Sequence, residues 1–255
     1  MFSSNTTFIG IDPTAGEKPI VYAAIDHARH LLALGAGSLD DVLAFAAGQH
    51  QAVLAVCGPR RPNSGVMKNP QKRGELNPQP APGRWENHRL AEYLLRQHNL
   101  FIPPTPFNEA DCPNWMRQSF LLFRRLEEMG YRDFQDETAG RKNLEVYPHA
   151  CYSVLLGVLP FPKHSLEGRI QRQLVLFENE VEVPDPMDFF EEITRHRVLK
   201  GVIPFDELYT PGELDALAAA FTAWYSASRP NQTTMLGDPE EGQIILPVDS
   251  LKTRY

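Results

Sequence analysis

A chain of 255 residues, 42% hydrophobic and 22% charged, holds enough apolar material for one elaborated domain or two small ones, and it has no apolar run of the roughly eighteen residues that read as a membrane span. The net charge of −7, from 25 basic and 32 acidic residues, argues against a protein that coats nucleic acid through bulk electrostatics, although a local basic groove remains open to it. Three widely spaced cysteines, Cys57, Cys112 and Cys151, argue against a disulfide framework or zinc knuckle and fit a reducing cytoplasm.

The polar start, Met1 to Thr7, lacks the basic end and apolar stretch of a secretory leader, so a cytoplasmic protein is expected. Thr7 to Asp12 (TFIGID) then reads as a strand ending on an acid, and Ile20 to Ile25 (IVYAAI) as a second, separated by the turn PTAGEKP. Residues 31 to 34 (LLAL) suit a third strand of an antiparallel meander. Ser38 fits an N-cap, with Asp40 and Asp41 in the first turn of a helix over Leu39 to Ala47. Ala52 to Cys57 (AVLAVC) is continuously apolar, as a strand covered on both faces should be.

Residues 58 to 84 change character, becoming rich in Pro, Gly and basic side chains. A connection of that length is usually a functional loop or a mobile one. Helical patterns follow over Trp85 to His98 and Pro113 to Met129. Asn143 to Tyr147 (NLEVY) reads as a short strand, followed by helices over His149 to Leu156, His164 to Phe177 and Phe189 to Leu199. Pro211 to Ser226 is the strongest helix, with Pro at its start and an alanine-rich body. MLGDPEEGQIILPV then gives a turn leading into a strand. This order predicts one α/β domain over residues 1–255, with a mixed central sheet flanked by helices; a two-domain alternative has only residues 58–84 as a linker.

Three acids sit where an acid needs a reason. Asp12 ends the first strand, Glu145 lies inside LEVY, and Asp215 lies in the alanine-rich helix. Buried carboxylates are costly unless paired or bound to a cation. If the three converge, they suit Mg²⁺ or Mn²⁺ and two-metal hydrolysis of a phosphodiester. Each also has a plainer reading: Asp12 as a turn residue before Pro13, Glu145 as an edge residue facing solvent, Asp215 as a helix-dipole partner.

The segments FIGIDPTAG, NHRLAEYLL, LEVYPHA, EGRIQRQL, ELDALAAAFTAW and GDPEEGQIILPV occur in this order from about Phe8 to Val248. In this the chain resembles the predicted RNase H-like nucleases of domain-of-unknown-function family four-twenty-nine, with EVYPHA and LDALAAAFTA the most specific part. The resemblance implies an RNase H-like sheet, a three-strand antiparallel meander plus parallel strands, with helical insertions. It implies Asp12, Glu145 and Asp215 as metal ligands, and it matches Arg89 and Glu92 to a polar helix where they can pair or approach the site. Where many members carry an acid at the end of the fourth strand, this chain has Cys57, and a thiol is no hard Mg²⁺ ligand. His149, directly after Pro148, suits proton transfer or an ordinary helix start. Arg60, Arg61 and Lys68, near Lys72 and Arg73, and Lys163, Arg169 and Arg172 suit phosphate contacts or solvated faces. The leading expectation is a metal-dependent nuclease. The alternative is a catalytically silent module that binds nucleic acid or a protein partner. A phosphoryl-transfer site for a nucleotide-like molecule is a third, without a glycine-rich phosphate loop to support it.

Overall fold

The computed structural model describes residues 6–14, 18–81 and 83–255. The polar start before Thr6 and the middle of the 13–19 turn lie outside the described residues. In chain order the elements are β1 (Thr7–Asp12), β2 (Ile20–Ile25), β3 (Leu31–Gly37), α1 (Leu39–Ala47) and β4 (Ala52–Val56). Then come α2 (Pro70–Gly74), α3 (Leu90–Gln97), α4 (Asn114–Glu128), β5 (Arg132–Asp133), β6 (Arg141–Glu145) and α5 (Pro148–Leu156). The last are α6 (Leu166–Glu178), α7 (Asp188–Glu192), α8 (Arg195–Leu199), α9 (Pro211–Ser228), β7 (Thr234–Asp238) and β8 (Gly242–Leu246).

The strands form one mixed sheet in the order β3-β2-β1-β4-β6-β8-β7, with β5 alongside β6. β1, β2 and β3 make an antiparallel meander, β4 lies parallel to β1, and β6 lies parallel to β4. This is the α/β arrangement expected from the sequence. Because side chains alternate along a strand, each face of the sheet acquires its own apolar layer. Phe8, Val53, Ala55 and Leu144 face α9 and α5. Ile9, Ile11, Leu54 and Val56 face α1 and α4 through Val42, Leu43, Leu122 and Phe123.

α9 is buried along most of its length, because the sheet covers one side and α5 and α6 cover others. Its alanines let it approach closely, and Gly10 completes that approach. A Cβ at Gly10 would stand 1.9 Å from the Ala216 carbonyl oxygen and 2.4 Å from the Ala220 nitrogen. Helix backbone therefore rests directly on strand backbone, and only glycine fits there. Ser38 caps α1 as expected: its Oγ accepts from the Asp41 N–H at 3.2 Å, and the Asp41 carboxylate accepts from the Ser38 N–H at 2.9 Å.

Three local expectations are corrected. The helix expected from Trp85 begins only at Leu90, because Arg89 is its capped first boundary: the Arg89 N–H donates to Glu92 at 3.0 Å and the Leu90 N–H to Glu241 at 2.9 Å. The helix expected over Phe189 to Leu199 is two short helices, since the Thr194 hydroxyl accepts from the Arg197 N–H at 3.2 Å and starts a new one. The closing segment is a hairpin of two strands rather than one.

The 58–84 segment is not an open loop. Val66 and Met67 are buried in a 3₁₀ turn over Val66–Lys68. The fully buried Glu241 carboxylate accepts from the N–H groups of Gly65 (3.1 Å) and Val66 (2.9 Å) and from the Ser64 hydroxyl (3.3 Å). One carboxylate of the β7–β8 turn thus pins both this segment and the start of α3. Among the described residues no helix is long and apolar enough to cross a membrane.

Candidate active site

The register of the sheet decides which acids meet. Ile11, Val56 and Glu145 are partners across β1, β4 and β6. Ile11 and Val56 belong to the layer under α1 and α4. By alternation Glu145 faces that way too. Asp12, Cys57 and Val146 follow one residue later, with Cys57 and Val146 in the layer under α9. The ladder continues to this point through the Cys57 N–H to Ile11 (2.8 Å) and the Val146 N–H to Val56 (3.0 Å). Asp12 and Glu145 therefore occupy opposite faces of the sheet, and the expected three-acid convergence does not occur.

Glu145 has a different role. Both its oxygens bind Arg89, at 2.5 and 3.0 Å, and one also accepts the Arg60 N–H at 3.0 Å. Arg89 is fully buried and also binds Glu92 at 2.9 Å, while Glu92 accepts from the Thr105 N–H at 3.1 Å and from its hydroxyl. Burial opposes the Arg89 charge, but Glu145 and Glu92 outweigh it and hold its proton more tightly than usual. Gly242, at φ 99°, fits this network closely: a Cβ there would stand 2.8 Å from a Glu145 oxygen. Arg89 and Glu92 thus pair across one helical turn, and they belong to this network rather than to the cavity on the other face.

Asp12 and Asp215 do meet. They line one cavity of about 780 Å³, together with Cys57, Tyr147, His149 and Lys163. Asp215 is 7% exposed, and its carboxylate accepts from the Lys163 ammonium at 2.9 Å. No described residue hydrogen-bonds the Asp12 carboxylate. Its pKa is pushed up to about 7, first by burial and then by the Asp215 charge, with Lys163 offsetting part of the rise. Burial works against the Lys163 charge, yet Asp215 outweighs it and keeps the ammonium protonated.

Burial, then the Asp12 and Asp215 charges, push the Cys57 thiol well up, so it is no thiolate nucleophile. Its Sγ donates to the Asp215 carbonyl at 3.5 Å. Burial and Arg172 lower the His149 pKa, which leaves the imidazole neutral near pH 7. Arg172 also lines the cavity, is 2% exposed, and forms no ion pair with a carboxylate among the described residues. Its Nη1 donates to the carbonyls of Phe161 (2.8 Å) and Gly168 (3.0 Å), while its buried Nε has no hydrogen-bond partner among the described residues.

Several expected phosphate contacts are corrected. Arg60 is bound to Asp133 at 3.0 Å and to Asn143. Arg169 donates to the carbonyls of Leu208 and Tyr209. Lys72 is paired with Asp238 at 3.1 Å, and Arg73 with Glu86 at 2.9 Å. Arg61 and Lys68 remain exposed, with Lys68 over the Phe107 ring at 3.6 Å. Of the basic residues expected to touch substrate, Lys163 and Arg172 line the cavity. The sequence reading missed the Lys163–Asp215 bond and the aromatic residues Phe101, Trp115, Tyr147 and Phe161 at the cavity. No local signal marks these rings: period-two counting would put Tyr147 on the face of Glu145, and Tyr147 lies beyond the end of β6.

Among the described residues no group of three or more His, Cys, Asp or Glu side chains is arranged to hold a metal ion. Two carboxylates remain, and their hard oxygens suit a cation of the Mg²⁺ class, which commonly takes one or two carboxylates and completes its shell with water and substrate oxygens. No curated protein and no solved structure matches the chain. Residues 10–241 match the family described as "Protein of unknown function (DUF429)", and the chain belongs to that family.

Proposed function

We propose that the protein hydrolyses phosphoester bonds at the Asp12–Asp215 cavity, with one divalent cation, Mg²⁺ or Mn²⁺, held by the two carboxylates. The observation that carries this reading is the Asp12 carboxylate: half-buried beside a second acid in the cavity, lacking a hydrogen bond from the described residues, and raised to about 7. A cation there would offset the desolvation and the Asp215 repulsion that raise it. When bound, such an ion polarises a phosphoryl oxygen and makes its water more acidic.

The chain's own residues supply the rest. Lys163 already compensates Asp215 as a fixed positive charge, which is why two acids accept one ion rather than two. Arg172 is a buried cation with no carboxylate ion-pair partner among the described residues, so it favours an anionic group in the cavity. His149, neutral near pH 7, can take or give a proton. The alternative, a silent module, draws support from Cys57, which replaces a potential hard ligand with a protonated thiol.

The test is hydrolysis of a panel of phosphomonoesters, nucleotides and short nucleic acids with Mg²⁺ or Mn²⁺. Asp12→Asn and Asp215→Asn should each reduce turnover by at least about 100-fold, the scale of losing a metal-held electrostatic contribution. The same ions should raise the melting temperature of the wild type but not of Asp12→Asn. Wild-type protein that cleaves nothing and melts identically with and without metal supports the silent module instead.

A further inference from the structure

The rim of the same cavity carries a second kind of chemistry. Phe101 and Phe161 border it and are each 53% exposed, although both are large apolar rings. Their backbones are nevertheless held in place. The Phe101 carbonyl accepts from the Tyr147 hydroxyl at 3.3 Å. The Phe161 N–H donates to Gln171 at 2.8 Å, and its carbonyl accepts from Arg172 at 2.8 Å. Trp115, Tyr147 and His149 add further ring surface, with Tyr147 and His149 edge to face at 6.2 Å.

Resting on the phosphoester reading of this cavity, we propose that its substrate is a nucleotide unit with an unstacked base, the base lying on Phe101 or Phe161 and the phosphate reaching Arg172. Three observations converge on this class. Exposed rings on fixed backbone form stacking platforms, Phe101 with the Arg96 guanidinium 4.7 Å from one side of its ring centre, and stacking accepts any base because every base has a π-face. The buried Arg172 guanidinium, without a carboxylate ion-pair partner among the described residues, calls for an anion close to those rings. Of the basic cluster that could track a long duplex backbone, Arg60, Lys72 and Arg73 are spent on protein partners, which leaves Arg61 and Lys68. A base inside a duplex has no free face to offer, so the ligand is a mononucleotide or a single-stranded end.

The experiment measures binding to the full chain without divalent metal, by competition against a fluorescent oligothymidylate. Competitors are thymidine monophosphate, ribose 5-phosphate, unlabelled oligothymidylate, an abasic strand of equal length and a blunt duplex. The base-bearing single strand should compete at least about tenfold better than the abasic strand and the duplex, and Phe101→Ala with Phe161→Ala should erase that preference. Both rings are exposed, so an unchanged melting curve can verify that the double variant folds. Strong competition by thymidine monophosphate assigns a mononucleotide; competition by the oligonucleotide alone assigns a strand end. Equal binding of base-bearing and abasic strands overturns the proposal without any variant. Base-dependent binding with no hydrolysis once Mg²⁺ or Mn²⁺ is added removes the hydrolase reading and leaves the stacking in place; metal-dependent hydrolysis indifferent to the base does the reverse.

Discussion

Glu145 and Asp215 are both almost sealed from solvent, at 3% and 7% exposure, yet they are compensated in opposite ways. Glu145 is held by a bidentate guanidinium and a backbone N–H, and its partner Arg89 is shared with a second buried acid. Asp215 has one ammonium, and the acid beside it, Asp12, has no hydrogen bond from the described residues. The first network closes on itself and fixes β6, α3 and the β7–β8 turn to one another. The second leaves one carboxylate, Asp12, without a hydrogen-bond donor among the described residues at the edge of a cavity. Burial of an acid alone therefore does not mark a site; an incomplete set of partners does.

The sharpest way to break this comparison is to remove the centre of the closed network. Arg89→Ala leaves Glu145 and Glu92 without their cation and should cost about 3–5 kcal/mol of stability. Denaturant titration should show this loss equally with and without Mg²⁺. A metal-dependent loss would mean that the network belongs to the site after all.

A smaller effect of opposite sign is expected on the other face. The Asp12 carboxyl loses its proton near 3.8 in the unfolded chain but only at about 7 in the folded one. Between those values the folded state binds more protons, so metal-free stability falls as pH rises and stays low above about pH 7. Asp12→Asn removes that penalty. It should stabilise the metal-free protein by about 2 kcal/mol at about pH 8, and the gain should shrink toward about pH 5. Thermal melts across this range check it; a variant less stable than wild type at high pH would show that Asp12 is compensated by a group other than a bound cation.

The smallest effect concerns the exposed charges of the 58–84 segment. Arg61→Ala with Lys68→Ala removes only exposed charge and one surface cation–π contact, and should change stability by about 1 kcal/mol or less. Hydrolysis should be unaltered in the same protein. A large drop in turnover would extend the site across the molecule to a segment that reads as structural.

The sequence carried the sheet well because its signals are local. The meander of β1 to β3, the doubly covered β4 and the capped α1 each follow from alternation, apolar continuity or a Ser–Asp spacing. Asp12 and Asp215 were also legible, as acids in otherwise apolar elements. Glu145 looked the same by that criterion and was misplaced, because a strand position also has a face and the face depends on register with β4. The basic residues misled for a related reason. Arg60, Lys72 and Arg73 cluster in sequence, but their partners Asp133, Asp238 and Glu86 come largely from distant segments, and composition cannot show which charges are already paired. The split of the helix expected over Phe189 to Leu199 hinges on one threonine that competes for a backbone N–H.

The contact between Gly10 and the backbone of α9 also bears on when the protein can work during its own synthesis. Asp12 is in the first strand and Asp215 about 200 residues later, so the cavity closes only after α9 has left the ribosome. Until α9 arrives, Phe8, Val53 and Ala55 present an uncovered apolar sheet face, the kind of surface through which incomplete chains aggregate. So distant a pairing also places the docking of α9 late among folding events, since the long loop must be closed before its contacts contribute. Chains truncated before Pro211 should thus be both inactive and dependent on chaperones, whereas a chain that has seated α9 on Gly10 gains its cavity and the cover of its core in the same step.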